Sequence, residues 1–295
     1  MTQKKRTTPK ALLRRKEDIE TAEDGVLIAS YQGKRPYQED RFLVNGNMDI
    51  SAKDAPAFLA GIFKKAAAAT EPLIEGSTGT GVVISKDLQL STAFLGDSPV
   101  VVFVRDPKTG DITASQITRD HHPGLADEKA RIKAAGGFVD EEERLIGLNR
   151  DHTMIHSFAV SRAFGDDAMT GLSREPEFAT VDLKKEIAAG REVYILVSSD
   201  GLYDGSRPQD YLPPLQDAIE TGKELGLAKI FAEHAHRRGS RDNITALVFK
   251  VPEKMEAAIF LAVAYGHGGS AASEKVIESF AADVKAKVIP PSPSR

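Results

Sequence analysis

Short apolar bursts separated by Gly, Asp, Pro or Asn recur along the chain, and this punctuation predicts more strand than helix. Residues 26–30 and 41–44 predict two strands around a tight connection at Gly33, Lys34 and Arg35. Residues 79–85, 89–95 and 100–104, broken by Asp87, Gly96 and Pro107, predict a meander of antiparallel strands. The unbroken run 193–198 predicts a buried strand ending on Ser199, Asp200 and Gly201, and 243–251 predicts another, introduced by residues 239–242. A last apolar run, 258–264, leads into Gly266, His267, Gly268 and Gly269.

Helical spacing appears in five places. Residues 54–70 are alanine-rich, with Phe58, Leu59, Ile62 and Phe63 on one face and Pro56 in the first turn. Residues 127–135 end at Gly136 and Gly137, a pair suited to a helix stop. The stretches 214–221, 224–237 and 271–287 complete the set. No repeat of solenoid length and no Gly-, Pro- or Ser-rich linker divides the chain. The expected organisation is one domain over residues 21–289, a basic arm over 1–20 and a disordered tail over 290–295.

Composition narrows the chemistry. With 295 residues the chain can bury a large core. No stretch approaches the roughly 20 apolar residues of a membrane-spanning helix. Lys4, Lys5, Arg6, Lys10, Arg14, Arg15 and Lys16 are not followed by the apolar segment of a secretory signal, so a cytoplasmic location is expected. Delivery into another cell by a route without a cleavable signal stays open. A net charge of -4 points away from nucleic acid, and a monomer without membrane contact is expected. The absence of cysteine removes disulfides, thiolate nucleophiles and Cys-ligated zinc, leaving oxygen donors suited to hard cations. No Gly-x-Ser-x-Gly elbow and no Gly-rich phosphate loop ending in Lys-Ser or Lys-Thr is present.

Glu39, Asp40, Asp200 and Asp242 each lie at a predicted strand edge beside turn-forming residues. Singly, each reads as a turn or cap residue. Gathered at one end of a sheet, they could hold Mg²⁺ or Mn²⁺, and two such ions could activate water and neutralise a phosphate.

Six short motifs stand in one order along the chain: Gly33-Lys-Arg-Pro-Tyr-Gln-Glu-Asp40, Gly76-Ser-Thr-Gly79, Gly96-Asp-Ser98, Ala159-Val-Ser-Arg-Ala-Phe-Gly-Asp166, Ser199-Asp-Gly201 and Gly239-Ser-Arg-Asp-Asn243. In these the chain resembles the PPM family of type 2C protein phosphatases. The resemblance implies an α+β fold: two packed antiparallel β-sheets flanked by helices on both faces, a four-layer α-β-β-α sandwich. It also implies Mn²⁺ or Mg²⁺ as cofactor. Glu39 resembles a ligand to one ion, Asp200 and Asp242 ligands to the other, and Asp40 the group that holds water beside them. Arg35 matches the arginine that grips the substrate phosphate, a task suited to planar paired donors. Asp97 and Asp166 resemble positions linked to a third ion, although both follow Gly and suit turns equally well.

Two departures from the family pattern stand out. The Asp-Gly-His-Gly-Gly strand end expected soon after Glu39-Asp40 is missing from residues 45–56. Its counterpart lies at the far end, in 259–269, followed by a helical run, so the order reads as circularly permuted, with 258–287 the displaced strand and helix. Tyr265 stands where the family has the aspartate that bridges both ions. A neutral phenol offers one weak oxygen where a carboxylate bridges two cations. Gly266 keeps its carbonyl, and His267 matches the general acid that protonates the leaving oxygen. The resemblance implies hydrolysis of phosphoserine or phosphothreonine in proteins by water activated at one or two ions. The alternative is a pseudophosphatase that binds a partner or phosphorylated segment without catalysis.

Overall fold

Alternation along the longest apolar strand shows how the core is divided. In Ala258–His267, the side chains of Ile259, Leu261 and Val263 join one buried cluster, while Phe260, Ala262 and Ala264 join another. A strand covered on both faces must be apolar throughout, which is why this segment carries no polar alternation.

A computed structural model of the chain describes residues 18–153, 155–166 and 169–290. The strands are β1 (Ile19–Glu23), β2 (Val26–Tyr31), β3 (Asp40–Met48), β4 (Gly76–Ser77), β5 (Gly79–Ile84), β6 (Gln89–Leu95), β7 (Val100–Arg105) and β8 (Ile112–Gln116). They continue as β9 (Phe138–Val139), β10 (Leu145–Leu148), β11 (Ile155–Phe158), β12 (Phe164–Gly165), β13 (Glu177–Asp182), β14 (Glu192–Ser198), β15 (Ile244–Val251) and β16 (Ala258–His267). The helices are α1 (Ala55–Thr70), α2 (Ala126–Ala134), α3 (Lys184–Ala188), α4 (Leu212–Glu220), α5 (Leu227–Arg237) and α6 (Ala271–Lys285).

One sheet runs β1-β2-β15-β14-β7-β8, and a second runs β12-β4-β16-β5-β6-β13 with β3 on the other side of β16. The strand pairs are antiparallel. Between the sheets lie Val26, Ile28, Val102, Ile195, Leu247, Val82 and Leu261. The outer face of the second sheet is covered by α1 and α6 through Leu59, Phe63, Ile277 and Phe280. The outer face of the first is covered by α4 and α5 through Leu215 and Phe231. The result is an α+β fold of packed antiparallel sheets and helices.

Several expectations change. The run 79–104 is not one meander: β5 and β6 form a hairpin, whereas β7 belongs to the other sheet, between β14 and β8. The strands at 26–30 and 41–44 are likewise in different sheets, and their connection crosses from one to the other. Apolar pattern marks strands but not their neighbours. Strands β1, β8 and β13 lie largely at the surface and had no apolar run to announce them, and the small sheet β9–β11, whose Val139 and Leu145 pack on Ile132, was not anticipated either. The helix expected at 224–237 begins as a short 3-10 turn at Glu224–Gly226. Of the basic arm, residues 1–17 lie outside the described residues, while Ile19 and Glu20 already belong to β1; of the tail, 291–295 lie outside them. Among the described residues no helix is long and apolar enough to cross a membrane.

The C-terminal segment is part of the core. Phe280 of α6 has its ring 5.0 Å from Phe63, 6.2 Å from Phe260 and 6.5 Å from Phe164. Phe280→Ala is expected to cost about 3–5 kcal/mol in urea denaturation, because the emptied site cannot collapse between two helices and a sheet. A loss under about 1 kcal/mol would mean that α6 is only loosely docked.

Candidate active site

The site sits where β2, β3, β14, β15 and β16 end together. Gly33 makes this approach possible: it has φ 62, and a Cβ there would overlap the Asp242 carbonyl. Lys34 N–H donates to the Arg241 carbonyl at 3.0 Å. Asn243, fully buried, clamps the same loop: Glu39 N–H donates to its Oδ1 at 2.8 Å, and its Nδ2 donates to the carbonyls of Gln32 and Tyr37 at 2.7 and 2.9 Å. Asn243 was quoted within a motif but given no role; its buried place beside Asp242 is visible only in three dimensions.

The turn at 266–269 is brought to the same place. Tyr265 pairs with Asp40 across β16 and β3, and Gly266 N–H donates to the Glu39 carbonyl at 3.2 Å. Ser273 of α6 donates to that carbonyl at 2.6 Å. Arg41, nearly fully buried, gives Nη1 to the carbonyls of Gln38 and Asp40 and pairs with Glu274 of α6 at 2.7 Å. These contacts fix the last helix to the Glu39-Asp40 corner.

A cleft of about 500 Å³ is lined by Arg35, Asp97, Asp200, Asp242, Tyr265 and His267, with Asp166 beside them. It is also lined by Arg144, which precedes β10, and by His156 and Phe158 of β11. Asp40 does not line this cleft; it is buried and accepts from Ser199 Oγ at 2.8 Å. Asp97, Asp200 and Asp242 also line a second cavity of about 450 Å³, together with Asp120.

Two pairings inside the cleft alter the expected picture. Arg35 Nη2 donates to Asp242 Oδ2 at 2.5 Å and lies 3.4 Å from the Tyr265 hydroxyl. Asp166, which the resemblance links to a third ion and its place after glycine suits equally to a turn, is engaged by His267, whose Nε2 lies 3.0 and 2.9 Å from its two carboxylate oxygens. Burial, reinforced by Asp200 and Asp242, drives the Tyr265 phenol far above its ordinary range, so it is a neutral hydroxyl. For His267, burial alone would favour the neutral ring, but Asp166, Asp97 and Glu39 outweigh it and raise its pKa.

The buried carboxyls are held out of their ordinary range. Burial first, opposed by hydrogen bonds from Thr245 and Ser199, pushes Asp40 up to about 7. Burial and then Asp120 push Asp97 up to about 6. Asp200 is raised well above its usual value by burial and by Asp97, Asp242 and Asp40. Glu39 is raised by burial, with Arg35 and His267 opposing.

A carboxyl raised in the folded state stabilises the fold when protonated. That contribution is complete below the unfolded value of 3.8 and is lost as pH rises through about 6 for Asp97 and about 7 for Asp40. In a chelator, the melting temperature should therefore rise as pH is lowered from 8 to 6, a gain of about 1–3 kcal/mol. Further acidification works the other way. Burial and then Arg162 lower His121 to about 4, so its stabilising neutrality fades as pH falls below 6.5. Arg162, Ser161 and Arg131 overcome burial and lower Glu128 to about 2, so its contribution fades below 4.5. Scanning calorimetry from pH 4 to 8 checks this; a melting temperature rising steadily to pH 8 would contradict the charge arrangement.

Can these residues take a divalent cation? Oδ1 of Asp40, Asp97 and Asp200 are buried without a hydrogen-bond partner among the described residues. Mutually repelling carboxylates with unanswered oxygens are what a hard cation relieves, and oxygen donors suit Mg²⁺ or Mn²⁺. Yet among the described residues no three His, Asp or Glu side chains are already arranged to hold an ion. One reason is visible: a guanidinium occupies Asp242. By donor type Asp97, Asp200 and Asp242 would suit one cation, with Arg35 withdrawn from Asp242, whereas Tyr265 supplies no carboxylate.

A family model described as protein phosphatase 2C matches residues 30–244, well over half of the chain. The chain belongs to that family. Among protein phosphatase 2C relatives, it is 33% identical over 182 residues to "Probable protein phosphatase 2C 59" of Oryza sativa subsp. japonica, covering 61% of this chain and 48% of the rice protein. It is 31% identical over 191 residues to "Protein phosphatase 1F" of Homo sapiens, covering 63% of this chain and 37% of the human protein. The match thus spans about half the length, or less, of these relatives. In fold it is similar to the crystal structure of serine-threonine phosphatase 2C from Toxoplasma gondii, with a TM-score of 0.56 and 20% identity over 82% of this chain and 96% of that one. The family match stops at Ile244 and so leaves β16 and α6 outside it.

Proposed function

We propose that the protein hydrolyses phosphoserine or phosphothreonine in phosphorylated proteins, using Mn²⁺ or Mg²⁺. The observation that carries this is the meeting, in one cleft, of Arg35, His267, Asp97, Asp200 and Asp242 from distant parts of the chain, with Asp97 and Asp200 oxygens left unanswered among the described residues. Asp200 and Asp242, with Asp97, would hold one cation, and Glu39 with the Gly266 carbonyl would be the donors to a second. When bound, a divalent cation lowers the pKa of water and screens phosphate charge. Arg35 binds two phosphate oxygens once released from Asp242, and His267 protonates the leaving serine or threonine oxygen. Asp40, behind them, orients water through its free Oδ1.

The same reading extends to the chain order. β16 lies between β3 and β5, while β3 runs directly on to α1; this supports a circular permutation that carries 258–287 to the C-terminal side of one four-layer domain. In that arrangement Tyr265 takes the place of the family's bridging aspartate. A second reading, a pseudophosphatase that binds phosphorylated segments without cleaving them, is favoured by the Arg35 contacts to Tyr265 and Asp242, which neutralise the cleft from within. Phosphate release from phosphothreonine peptides, measured with Mn²⁺, with Mg²⁺ and with chelator, tests the first. Ion-dependent release is expected. Peptide binding without release under any ion would overturn it and leave the second.

A further inference from the structure

The pair formed by His267 and Asp166 is assembled with more care than a chance contact needs. Asp166 is buried and adopts φ 56, a left-handed conformation that aspartate tolerates and that its surroundings here hold in place. Those surroundings are visible: Asp166 N–H donates to the Glu75 carbonyl at 3.1 Å, and Arg174 Nη2 donates to the preceding Gly165 carbonyl at 2.5 Å. Glu75 also acts on the histidine side, its carboxylate accepting from Ala271 N–H at 2.5 Å in the first turn of the fifteen-residue α6. Between them stands Gly76, where a Cβ would overlap both His267 Nε2 and the Asp166 carboxylate. The ring of Phe158 meets the imidazole edge-on at 6.0 Å.

We infer that Asp166 is the positioning residue for His267, holding Nε2–H of the imidazole so that Nδ1 is the nitrogen that meets the substrate. This assignment rests on the phosphatase reading above and deepens it, since neither the family match nor the expected third-ion role gives Asp166 this task. The logic is that of any carboxylate-oriented imidazole: one nitrogen is fixed by its hydrogen bond, which selects the tautomer and leaves the other for chemistry. In the reaction, water oxygen bonds to phosphorus while the bond from phosphorus to the serine or threonine oxygen breaks. The ring acts as the imidazolium, with Nε2–H kept on Asp166, so that Nδ1 carries the proton that passes to that oxygen; the neutral ring left behind regains a proton on Nδ1 from the water consumed.

The experiment uses the full chain with Mn²⁺, phosphothreonine peptide and aryl phosphates of graded leaving-group basicity. Asp166→Ala removes the carboxylate; Gly76→Ala separates the pair while keeping both partners, and covers the case in which Asp166→Ala fails to fold. Both variants should lose roughly 10- to 100-fold in kcat on phosphopeptide and phenyl phosphate. KM should hardly move, and dinitrophenyl phosphate, which needs no proton, should be hydrolysed nearly as before. His267→Ala should add little further loss on the Asp166→Ala background. An equal loss for every leaving group, or additive losses, would overturn the inference. Nitrogen-15 spectra of the imidazole at alkaline pH give a readout independent of turnover: the Nε2–H tautomer in the wild type, mixed tautomers in Asp166→Ala. If the wild type cleaves no ester, the phosphatase reading fails, and the spectra alone decide the positioning role, an unchanged tautomer in Asp166→Ala counting against it.

Discussion

Replacing Tyr265 by aspartate is expected to raise Mn²⁺-dependent phosphate release by about 100-fold, a barrier lowered by about 3 kcal/mol. The reason is the kind of donor at this position. The phenol is neutral, because burial beside Asp200 and Asp242 opposes its ionisation, and its one oxygen faces the Arg35 guanidinium. A carboxylate there could share two cations and would draw Arg35 away from Asp242, freeing both the acid for an ion and the arginine for phosphate. The variant should also be less stable without ions. It loses a largely buried ring and adds a negative charge to a group already repelling itself, so its melting temperature in chelator should fall and recover with Mn²⁺. Calorimetric titration should find one more Mn²⁺ per chain than in the wild type. If stoichiometry and activity both stay at wild-type values, the position does not limit ion binding.

The second large effect has the opposite sign on stability. Asp200→Asn should abolish ion-dependent phosphate release yet stabilise the ion-free protein by about 1–3 kcal/mol in urea denaturation. Asp200 is raised far from its usual pKa by burial and by three neighbouring carboxyls, and one of its oxygens has no partner among the described residues. Removing the charge removes that repulsion, and the new amide can donate to the remaining acids. Such strain at a site is tolerated when its function is to receive a cation. A variant that melts lower than the wild type in chelator would show that the carboxylate is already satisfied and would weaken the case for an ion there.

Much of the site was legible before any coordinates. Glu39, Asp200 and Asp242 were singled out because acids at strand edges beside turn residues form a pattern, and Arg35 because it matches the family's phosphate-gripping arginine; the structure brings them to one end of the sheets. The turn carrying His267 was expected to join them from the far end of the chain, and it does. A carboxylate after glycine, such as Asp166, has the same local signature whether it faces an ion or an imidazole, so its contact with His267 is visible only in the folded chain. Asn243, Ser199, Arg41 and Glu75 were not assigned roles, since each acts through a contact to a segment remote in sequence.

The distinction has a physical basis. Local order follows from side-chain period and turn chemistry, so the amino-acid sequence alone was sufficient for the long strands, α1, α6 and the acidic corners, each of which carries its own apolar face or glycine. Which strands become neighbours depends on packing and on the closure of long loops. Only the folded chain therefore shows that β6 and β7 part into different sheets and that β16 enters between β3 and β5. The balance of charge in the cleft is likewise a tertiary matter: burial and spacing of a few ångströms set whether Arg35 faces an acid or a phosphate, and no residue's identity contains that information.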